Sequence, residues 1–532
     1  MTTSILKEDI HSIIARSFYN GVINRTTSAY FFLGKTIPWD EFTDTPIDAT
    51  QTYEDEYNTR NNTISLRRVL DTEISFAIDK QDWVANRVYD MYDPSYSVTN
   101  VAPSGATSLV KASIYVITDE FNIYKCISNN YGSPSTVKPT GNSLSFISLA
   151  DGYVWKYMMP VSILSQGRFM SGAYMPIQNS ITDNFYSPGV TPVLVNGGTG
   201  YVEGNTLLQI VGDGANAKFE PVIDTVTGEI TNINVINAGS GYTNASVVVS
   251  SPNPLLPQGS GAVIEIDLNV GDLSSSQSDV QLSAVDGELS FIYLENAGSG
   301  FTNATVTLSG DGSGATASAT ILNGSISSIQ IGARGVGYTY ATITISGDGV
   351  NASARSIISP VGGHGNNIIE ESFSDILAFY MDTTEDIRQG FRLTNDYRQA
   401  GIIINPDQYT TGGSRRLYIN DRAGACWVAG FDSLSQSVLP DEIITRSSDN
   451  VEFVVIQSKS EDNKIMIQNL TAAGIEVGDS FKNENDVHLF EVTSIITPEI
   501  DKFSGSLLYY DNKSAYREKL DQNVILKTYI KF

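Results

Sequence analysis

The stretch NAGSGFTNATVTLSGDGSGATASATILNGSISSIQI, at residues 296–331, decides how the middle third of this chain folds. A glycine-rich phrase ends on the aromatic Phe301, and the alternating run TNATVTLS that follows is typical of a half-buried strand. Glycine turns then separate two further strand-like runs, GATASATIL and SISSIQI, because glycine permits the positive φ of tight turns. The stretch therefore predicts three short β-strands.

The same phrase recurs throughout residues 188–359. Its copies are NGGTGY at 196–201, NAGSGY at 237–242, NAGSGF at 296–301 and RGVGY at 334–338. The unit is about forty residues long, and one copy is enlarged by SPNPLLPQ (251–258) and NVGDLSSSQSD (269–279), which we interpret as inserted loops. Because a three-stranded unit cannot enclose a core alone, we expect neighbouring units to share one.

One aromatic residue closes each copy of the glycine-rich phrase. The four residues are Tyr201, Tyr242, Phe301 and Tyr338. An aromatic at the same position of every copy is what a repeating core requires, so we predict that these side chains anchor the core of the repeats. The alternative is that they form stacking platforms for a carbohydrate.

Each glycine turn of the repeats carries at most one carboxylate. Asp213, Asp311 and Asp348 are weak calcium candidates, because carboxylate oxygens are hard ligands. A calcium loop places several such ligands close together, and these turns do not. We therefore interpret the aspartates as turn-forming residues.

The sequence displays no catalytic constellation. Its three histidines, His11, His364 and His488, lie in different segments with no partner at metal-ligand spacing. His364 lies in GGHG, where we predict a loop residue packed against backbone, since no nucleophile accompanies it in the sequence. The pair Glu370 and Glu371 is interpreted as part of a solvated face. We expect no enzymatic activity, no cofactor and no metal centre.

Composition and charge narrow the classes of partner. The chain has 532 residues, is 41% hydrophobic and only 17% charged, and carries a net charge of −26, which repels a phosphate backbone and argues against nucleic acid. Cys126 and Cys426 form no CxxC pattern, which indicates a fold made for a reducing compartment. The charged start of the chain and the lack of a long apolar run predict a cytosolic product without membrane insertion.

The segments outside the repeats mix helices and strands. We predict helices at residues 4–19, with Leu6, Ile10, Ile13, Ile14 and Phe18 as a stripe that Ser4 caps, and at about 50–70. Strands are predicted at 27–39 and 395–406, with a hairpin turning near Asp119. The strand-like runs LYIN, CWVAGF, EFVVIQS, KIMIQNL and HLFEVTSI predict a small barrel at 414–496.

Four flanking stretches resemble the dimer-forming baseplate wedge protein of T-even-like, contractile-tailed bacteriophages. They are YFFLGKTIPW (30–39), DGYVWKYM (151–158), YRQAGIIINP (397–406), and GSLLYYDNKSAY with the terminal DQNVILKTYIKF (505–532). IDKQDW (78–83) and YKCIS (124–128) add weaker matches. The stretches occur in the same order as in that family, whose members are shorter and lack the glycine repeats.

The abundance of Gly, Ser, Thr and Asn favours an all-β or α+β class. The resemblance implies that the host body is mainly β, so we expect a mainly β fold with a minor α component, an α+β class, into which other domains are inserted. It divides the chain into a discontinuous wedge body (1–187, 360–413 and 497–532), an inserted array of three-stranded β repeats (188–359) and a second small β-barrel-like insertion (414–496). It also implies a structural role in the virion, assembled in a bacterial cytoplasm, with itself as a homodimer and other wedge proteins as partners. A tail-fibre-like module binding a carbohydrate or receptor is the alternative.

Overall fold

The computed structural model describes residues 10–40, 43–50, 52–179, 190–212, 215–240, 244–251, 256–268, 277–382, 395–410, 415–459, 462–471, 474–516 and 525–532. Strands account for 47% of the structure and helices for 11%, and the sheets are antiparallel. The predicted β-rich α+β class is confirmed.

Residues 10–179 alternate short helices and strands. The elements are α1 (Ile10–Ile23), β1 (Ala29–Gly34), α2 (Tyr53–Asn62), β2 (Thr63–Arg68), β3 (Ile74–Asp79), β4 (Tyr115–Ile117), β5 (Asn122–Asn129), β6 (Ile147–Ser148), β7 (Tyr153–Pro160), α3 (Ile163–Phe169) and β8 (Tyr174–Ile177). Strands β4 and β5 form the hairpin expected around Asp119.

Residues 190–358 hold twelve described strands and one helix. They are β9 (Val190–Thr199), β10 (Leu207–Gly212), β11 (Ala215–Ile223), β12 (Ile230–Ser240), β13 (Ala245–Ser250), β14 (Ser260–Leu268), α4 (Gln277–Leu282), β15 (Leu289–Ser299), β16 (Ala304–Gly310), β17 (Ser313–Leu322), β18 (Ser325–Val336), β19 (Ala341–Gly347) and β20 (Val350–Ile358). Helix α4 corrects the interpretation of residues 269–279 as loop throughout, because the end of that stretch begins a helix that packs on β7.

The remaining residues return to short strands. The elements are α5 (Ile368–Glu371), β21 (Ile376–Asp382), β22 (Tyr397–Ile404), β23 (Asp407–Gln408), β24 (Arg422–Gly424), β25 (Trp427–Gly430), β26 (Ile443–Arg446), β27 (Glu452–Lys459), β28 (Lys464–Asn469), β29 (Ser480–Lys482), β30 (His488–Glu491), β31 (Ser494–Ile496), β32 (Ile500–Asp501), β33 (Ser506–Tyr516) and β34 (Ile525–Lys531).

Two compact units are built from these elements. The first contains Phe76–Ser374 with the residues before Ile13, and the second combines Ile13–Ser75 with Asp375–Phe532. The repeats therefore fold in one unit with residues 76–179, whose main sheet has the order β4-β5-β7-β6. The second unit contains the five-stranded sheet β24-β2-β1-β22-β33 and a separate seven-stranded sheet.

The helix predicted at 50–70 is wrong in its second half. Helix α2 begins where expected, with the Thr52 hydroxyl accepting the Asp55 N–H at 3.2 Å. It ends at Asn62, and the next six residues form the fully buried strand β2, in which Leu66 lies opposite Phe32 of β1. Pairing within a buried sheet outweighs the weak local preference for helix.

Helix α1 also departs from its predicted face. Ile13 and Ile14 are exposed, whereas Ala15 and Val22, two turns apart, are buried, and Phe18 is partly buried. The predicted Leu6 and cap Ser4 lie outside the described residues. The small side chain of Ala15 faces the protein in place of the two isoleucines, so the most apolar positions do not mark the buried face of this helix.

The seven-stranded sheet corresponds to the predicted barrel, with two corrections. Its order is β30-β29-β26-β27-β28-β25-β31, and Phe431, next to β25, lies 5.5 Å from Phe490 of β30, so the sheet curls although no described ladder closes it. LYIN forms no strand, and β24, which the sequence placed in this insertion, pairs instead with β2. A strand of three residues is too short for the sequence to assign to either sheet.

The repeats are organised as two modules of six strands each. In the first module, residues 190–268, β9 pairs with β14, β10 with β13 and β11 with β12. In the second module, residues 289–358, β15 pairs with β20, β16 with β19 and β17 with β18. The strands without a ladder between them lie side by side and complete a ring. Two consecutive repeats therefore share one core, in agreement with the need for a partner unit.

Each described repeat aromatic is held between glycines. The Phe301 amide donates to the Gly324 carbonyl at 2.9 Å, while a Cβ on Gly298 or on Gly349 would lie within 2.7 Å of the Phe301 ring. Tyr338 repeats this arrangement with Gly335 and Gly312, and Tyr201 repeats it with Gly198 and Gly259. The glycines recur because no larger residue fits against the ring.

We predict that Gly349→Ala destabilises the second module. The new Cβ would lie 2.3 Å from the Phe301 ring, and such overpacking costs about 1–3 kcal/mol. Hydrogen exchange of the β15–β20 amides should accelerate accordingly. The control Ser346→Ala, at an exposed position of neighbouring β19, should leave exchange unchanged, and equal exchange rates in the two variants would refute the prediction.

Candidate functional site

The three repeat aromatics that the structure describes do not present their ring faces to solvent. Tyr201, Phe301 and Tyr338 are 5%, 3% and 6% exposed, while Tyr242 lies outside the described residues. Glycine backbone covers the three described rings on both sides. A carbohydrate needs an accessible ring face for stacking, so these three side chains cannot serve as the platforms of the alternative hypothesis.

The turn aspartates bind backbone of the neighbouring repeat. Asp348 accepts the amides of Thr302 and Asn303, both at 2.9 Å, and Asp311 accepts those of Thr339 and Tyr340. The hydroxyl groups of Thr302 and Thr339 also donate to these carboxylates, and these bonds lower the pKa of Asp311 and Asp348 to about 2. Asp213 lies outside the described residues. Among the described residues, no three His, Cys, Asp or Glu side chains are grouped to hold a metal ion.

A buried polar cluster lies where the second module meets residues 76–179. It consists of Lys125 on β5, Ser290 on β15, His364 in the loop after β20, and Glu371 on α5. All four are less than 9% exposed, and Lys125 and His364 are fully buried. We refer to these four residues as the junction cluster.

Glycines shape the loop that carries His364. Gly363 and Gly365 have φ of +93° and +89°, which side chains other than glycine rarely adopt. The turn brings the Gly365 amide within 2.6 Å of Glu371 Oε1, and the same carboxylate accepts Lys125 Nζ through Oε2 at 2.8 Å. The motif GGHG thus places an imidazole and an acidic residue on one buried lysine.

Hydrogen-bond polarity fixes the tautomer of His364. Lys125 Nζ lies 3.0 Å from Nδ1, and an ammonium group has only hydrogens to offer, so Nδ1 accepts. Nε2 therefore carries the proton and donates to the Ser290 hydroxyl at 2.7 Å. In a Ser-His nucleophile, Nε2 is unprotonated and accepts the serine proton, while the Nδ1–H donates to a carboxylate. Here Nδ1 instead accepts from Lys125 at 3.0 Å, and Glu371 Oε2 lies 3.9 Å from Nδ1, beyond hydrogen-bond distance. The hydrogen bonds of the junction cluster are those of a structural contact and differ from those of a hydrolytic Ser-His dyad.

Burial and surrounding cations keep the imidazole neutral. Loss of solvent, followed by the positive charges of Lys125, Lys156 and Arg334, holds the pKa of His364 well below its ordinary value. Burial likewise lowers the pKa of Lys125, which the carboxylate of Glu371 opposes. The junction cluster therefore contains one buried ion pair, between Lys125 and Glu371, and the neutral His364 connects it by hydrogen bonds to Ser290 of β15.

Aromatic rings complete the wall of the junction cluster. Tyr92 lies 4.2 Å beneath Lys125 Nζ and contacts the edge of the His364 ring at 4.8 Å. Phe146 stacks under the Arg334 guanidinium at 3.8 Å, and that guanidinium donates to the Ser290 carbonyl at 2.6 Å. Cations on aromatic faces keep part of their electrostatic stabilisation after losing water.

The second module has a further contact with residues 76–179 beside this cluster. Arg355 of β20 binds both oxygens of Asp93 at 3.0 and 2.5 Å and stacks on Tyr293 at 4.6 Å. Tyr131 lies 5.0 Å from Tyr293 and accepts the Leu294 amide at 3.3 Å. These contacts cover the part of the outer face of the β15–β20 pair around Tyr293 and Arg355, whereas Glu295 and Ser353 on the same face are exposed.

A pocket of ≈ 280 Å³ lies near the β23–β32 pair in the second unit. Asp407, Tyr409, Trp427 and Lys502 contribute to its lining. Burial lowers the pKa of Lys502 to about 8, but its ammonium donates to the carbonyls of Asn61 and Asn469 at 2.8 and 3.3 Å. Lys502 therefore has a structural role, because its ammonium group is used in binding backbone carbonyls.

Sequence reasoning located one member of the junction cluster and missed the rest. His364 was expected to pack against backbone, and the structure places it instead against the side chains of Lys125 and Ser290. The interpretation of Glu371 as solvated is wrong, because its carboxylate is buried against Lys125. Lys125 and Ser290 lie 239 and 74 residues from His364 in the sequence, so no local spacing could predict these contacts.

We predict a large loss of stability for Lys125→Met. The substitution leaves the Glu371 carboxylate buried without its cation, which costs about 3–5 kcal/mol. Chemical unfolding of the first unit should shift accordingly. Lys138→Met, which removes a partly exposed lysine paired with the exposed carboxylates of Asp119 and Glu120, is the matched control and should not shift it. An equal effect of both variants would show that the buried pair contributes nothing.

The junction cluster also predicts a pH dependence. Below the ordinary pKa of 6.5 the unfolded chain protonates His364, whereas the folded chain does not, so stability falls as pH drops from about 6.5, by up to about 1.4 kcal/mol per pH unit. The variant His364→Gln retains a donor and an acceptor but cannot titrate. The difference in unfolding free energy between wild type and this variant, measured from pH 7.5 to 5, should therefore have a positive slope with pH; a flat difference would contradict the prediction.

No described helix is long and apolar enough to cross a membrane. Neither a comparison with protein-family models nor a comparison with curated protein sequences finds a match to this chain.

Proposed function

We propose that this chain is a structural subunit of the baseplate wedge of a contractile phage tail, acting through protein–protein interfaces during virion assembly. One observation carries the proposal. Three of the stretches that resemble wedge proteins lie far apart in the sequence and form neighbouring strands of one sheet.

The clearest case is the five-stranded sheet. YFFLG lies on β1, YRQAGIII on β22 and SLLYYDN on β33, and these strands are adjacent. Phe31 lies opposite Ile402, and Ile402 lies opposite Tyr509. A resemblance shared by strands that must pair with one another supports a common body, because each strand constrains the side chains of the next.

A second case lies in the other unit. YKCIS on β5 pairs with GYVWKYM on β7, so that Cys126 lies opposite Trp155, and both side chains are fully buried. The residues between the resembling stretches build the repeat modules and the seven-stranded sheet. These insertions follow one strand and precede the next, so they leave the strand pairing of the flanking sheets intact. Insertions at such places are well tolerated.

The chemistry of the site agrees with a role in assembly. The junction cluster has the hydrogen-bond polarity of a structural contact, and it joins a repeat module to residues 76–179. The subunit would pair with a second copy of itself and with other wedge proteins, as the resemblance implies, and act in the tail baseplate after assembly in a bacterial cytoplasm. The receptor-binding alternative loses three of its four stated platforms, since the rings of Tyr201, Phe301 and Tyr338 are buried.

The proposal predicts that the chain is a stoichiometric component of purified contractile tails and that deletion of residues 190–268 leaves a complete baseplate lacking a protrusion. This deletion removes the first module but keeps the junction cluster, whose four residues lie outside it. Mass spectrometry and averaged electron micrographs of the particles measure both outcomes. As a control, deletion of residues 190–358 also removes Ser290 and should yield less soluble chain. Absence of the wild-type chain from purified tails would overturn the proposal.

A further inference from the structure

The two repeat modules are built on the same register, so their surfaces can be compared residue by residue. In the outer strand pairs, Asn196 lies opposite Val263 in the first module and Asn296 lies opposite Ser353 in the second. Further along the same two strand pairs, Val193 lies opposite Glu265 in the first module, and Tyr293 lies opposite Arg355 in the second. The β9–β14 face of the first module is thus equivalent to the β15–β20 face of the second.

In the second module part of this face is an interface, while Glu295 and Ser353 beside it are exposed. Tyr293 and Arg355 point outward from it and meet Tyr131 and Asp93 from residues 76–179. The interface combines an aromatic contact with a bidentate ion pair in which the module supplies the cation. One copy of the repeat surface therefore already binds a folded neighbour.

In the first module the equivalent face is apolar and exposed. Val193, Val195 and Val263 are 45%, 56% and 46% exposed. The second module has Tyr293, Glu295 and Ser353 at the same positions. Glu265, also exposed, occupies the position of Arg355, so the charge at the centre of the face is reversed.

The apolar character extends over the adjoining strands. Leu207, Val211 and Val248 are half exposed on the outer side of the β10–β13 pair. The corresponding β16–β19 pair carries Thr305, Ser309 and Thr344 there. Two surfaces with one backbone geometry thus differ in chemistry, and a soluble surface has no need of six outward aliphatic side chains on neighbouring strands.

We propose that the β9–β14 face of the first module binds a second, different protein, one that places a lysine or arginine opposite Glu265 and apolar side chains over the three valines. In the second module Arg355 is bound by Asp93 of residues 76–179. Because Glu265 takes the place of Arg355 in the first module, the partner must supply a cation at the position that Asp93 occupies in the second. A second copy of this chain is a poorer occupant, because its net charge of −26 opposes close self-approach at an acidic face. The inference rests on the proposed role as an assembly subunit and names the chemistry of one partner.

Photo-cross-linking tests this surface directly. Benzoylphenylalanine is introduced at position 195, and in a matched control at position 307, where Thr307 is exposed on the polar β16–β19 face. Irradiation of producing cells and of purified tails should give an adduct with a different protein at position 195, in a yield at least about fivefold above that at position 307. Glu265→Lys should reduce the yield by a similar factor, since like charges suppress binding. Glu220→Lys, the same charge change on β11, should not.

The outcomes separate the two proposals. An adduct at position 195 that contains a second copy of this chain overturns the choice of partner. A yield at position 195 no higher than at position 307, or one unaffected by Glu265→Lys, overturns the binding face. Absence of the chain from purified tails counts against the proposed function alone, because the adduct formed in producing cells still decides whether this face binds a second protein.

Discussion

Contact between an aromatic ring and glycine backbone is the constraint on which the repeat modules depend. Phe301 lies against Gly298 of its own repeat and Gly349 of the paired repeat, so one ring joins two repeats at their boundary. The contact requires glycine on both sides, and it explains why the phrase containing these residues recurs with so little variation. Aspartates such as Asp348 then tie the adjoining turn to the same boundary by accepting its amides. Six small strands obtain in this way the shared core that three could not form.

A second constraint acts where a module meets the rest of its unit. Burying Lys125 is favourable only because Glu371, His364 and the face of Tyr92 replace its water. The direction of each hydrogen bond follows from the ammonium group, which can only donate, and this assigns His364 its neutral tautomer. A Ser-His contact of 2.7 Å therefore has a structural meaning here, which a distance alone would not reveal. The neighbouring pair of Asp93 and Arg355 adds specificity to the docking.

Local patterns predicted the elements whose cause is local. The repeat turns follow from glycine, and β22 follows from a buried apolar run that ends before Pro406. Predictions failed where a distant partner decided the outcome. Residues 63–68 form a strand because β1 offers an edge, and β24 joins the five-stranded sheet because β2 does. The exposed Ile13 and Ile14 show that an apolar stripe does not by itself identify the buried face of a helix.

Adjacent residues suffice to show that the chain is β-rich, that its middle third is a repeat, and that an aromatic residue and a glycine turn recur in every unit, because turn chemistry and strand alternation are local properties. The folded chain alone reveals that repeats associate in pairs, that Ser290 contacts His364, and that equivalent faces of the two modules carry Arg355 in one and Glu265 in the other. These relations join residues far apart in the chain. Their stabilisation comes from packing and desolvation between these distant residues, which the order of neighbouring residues does not show.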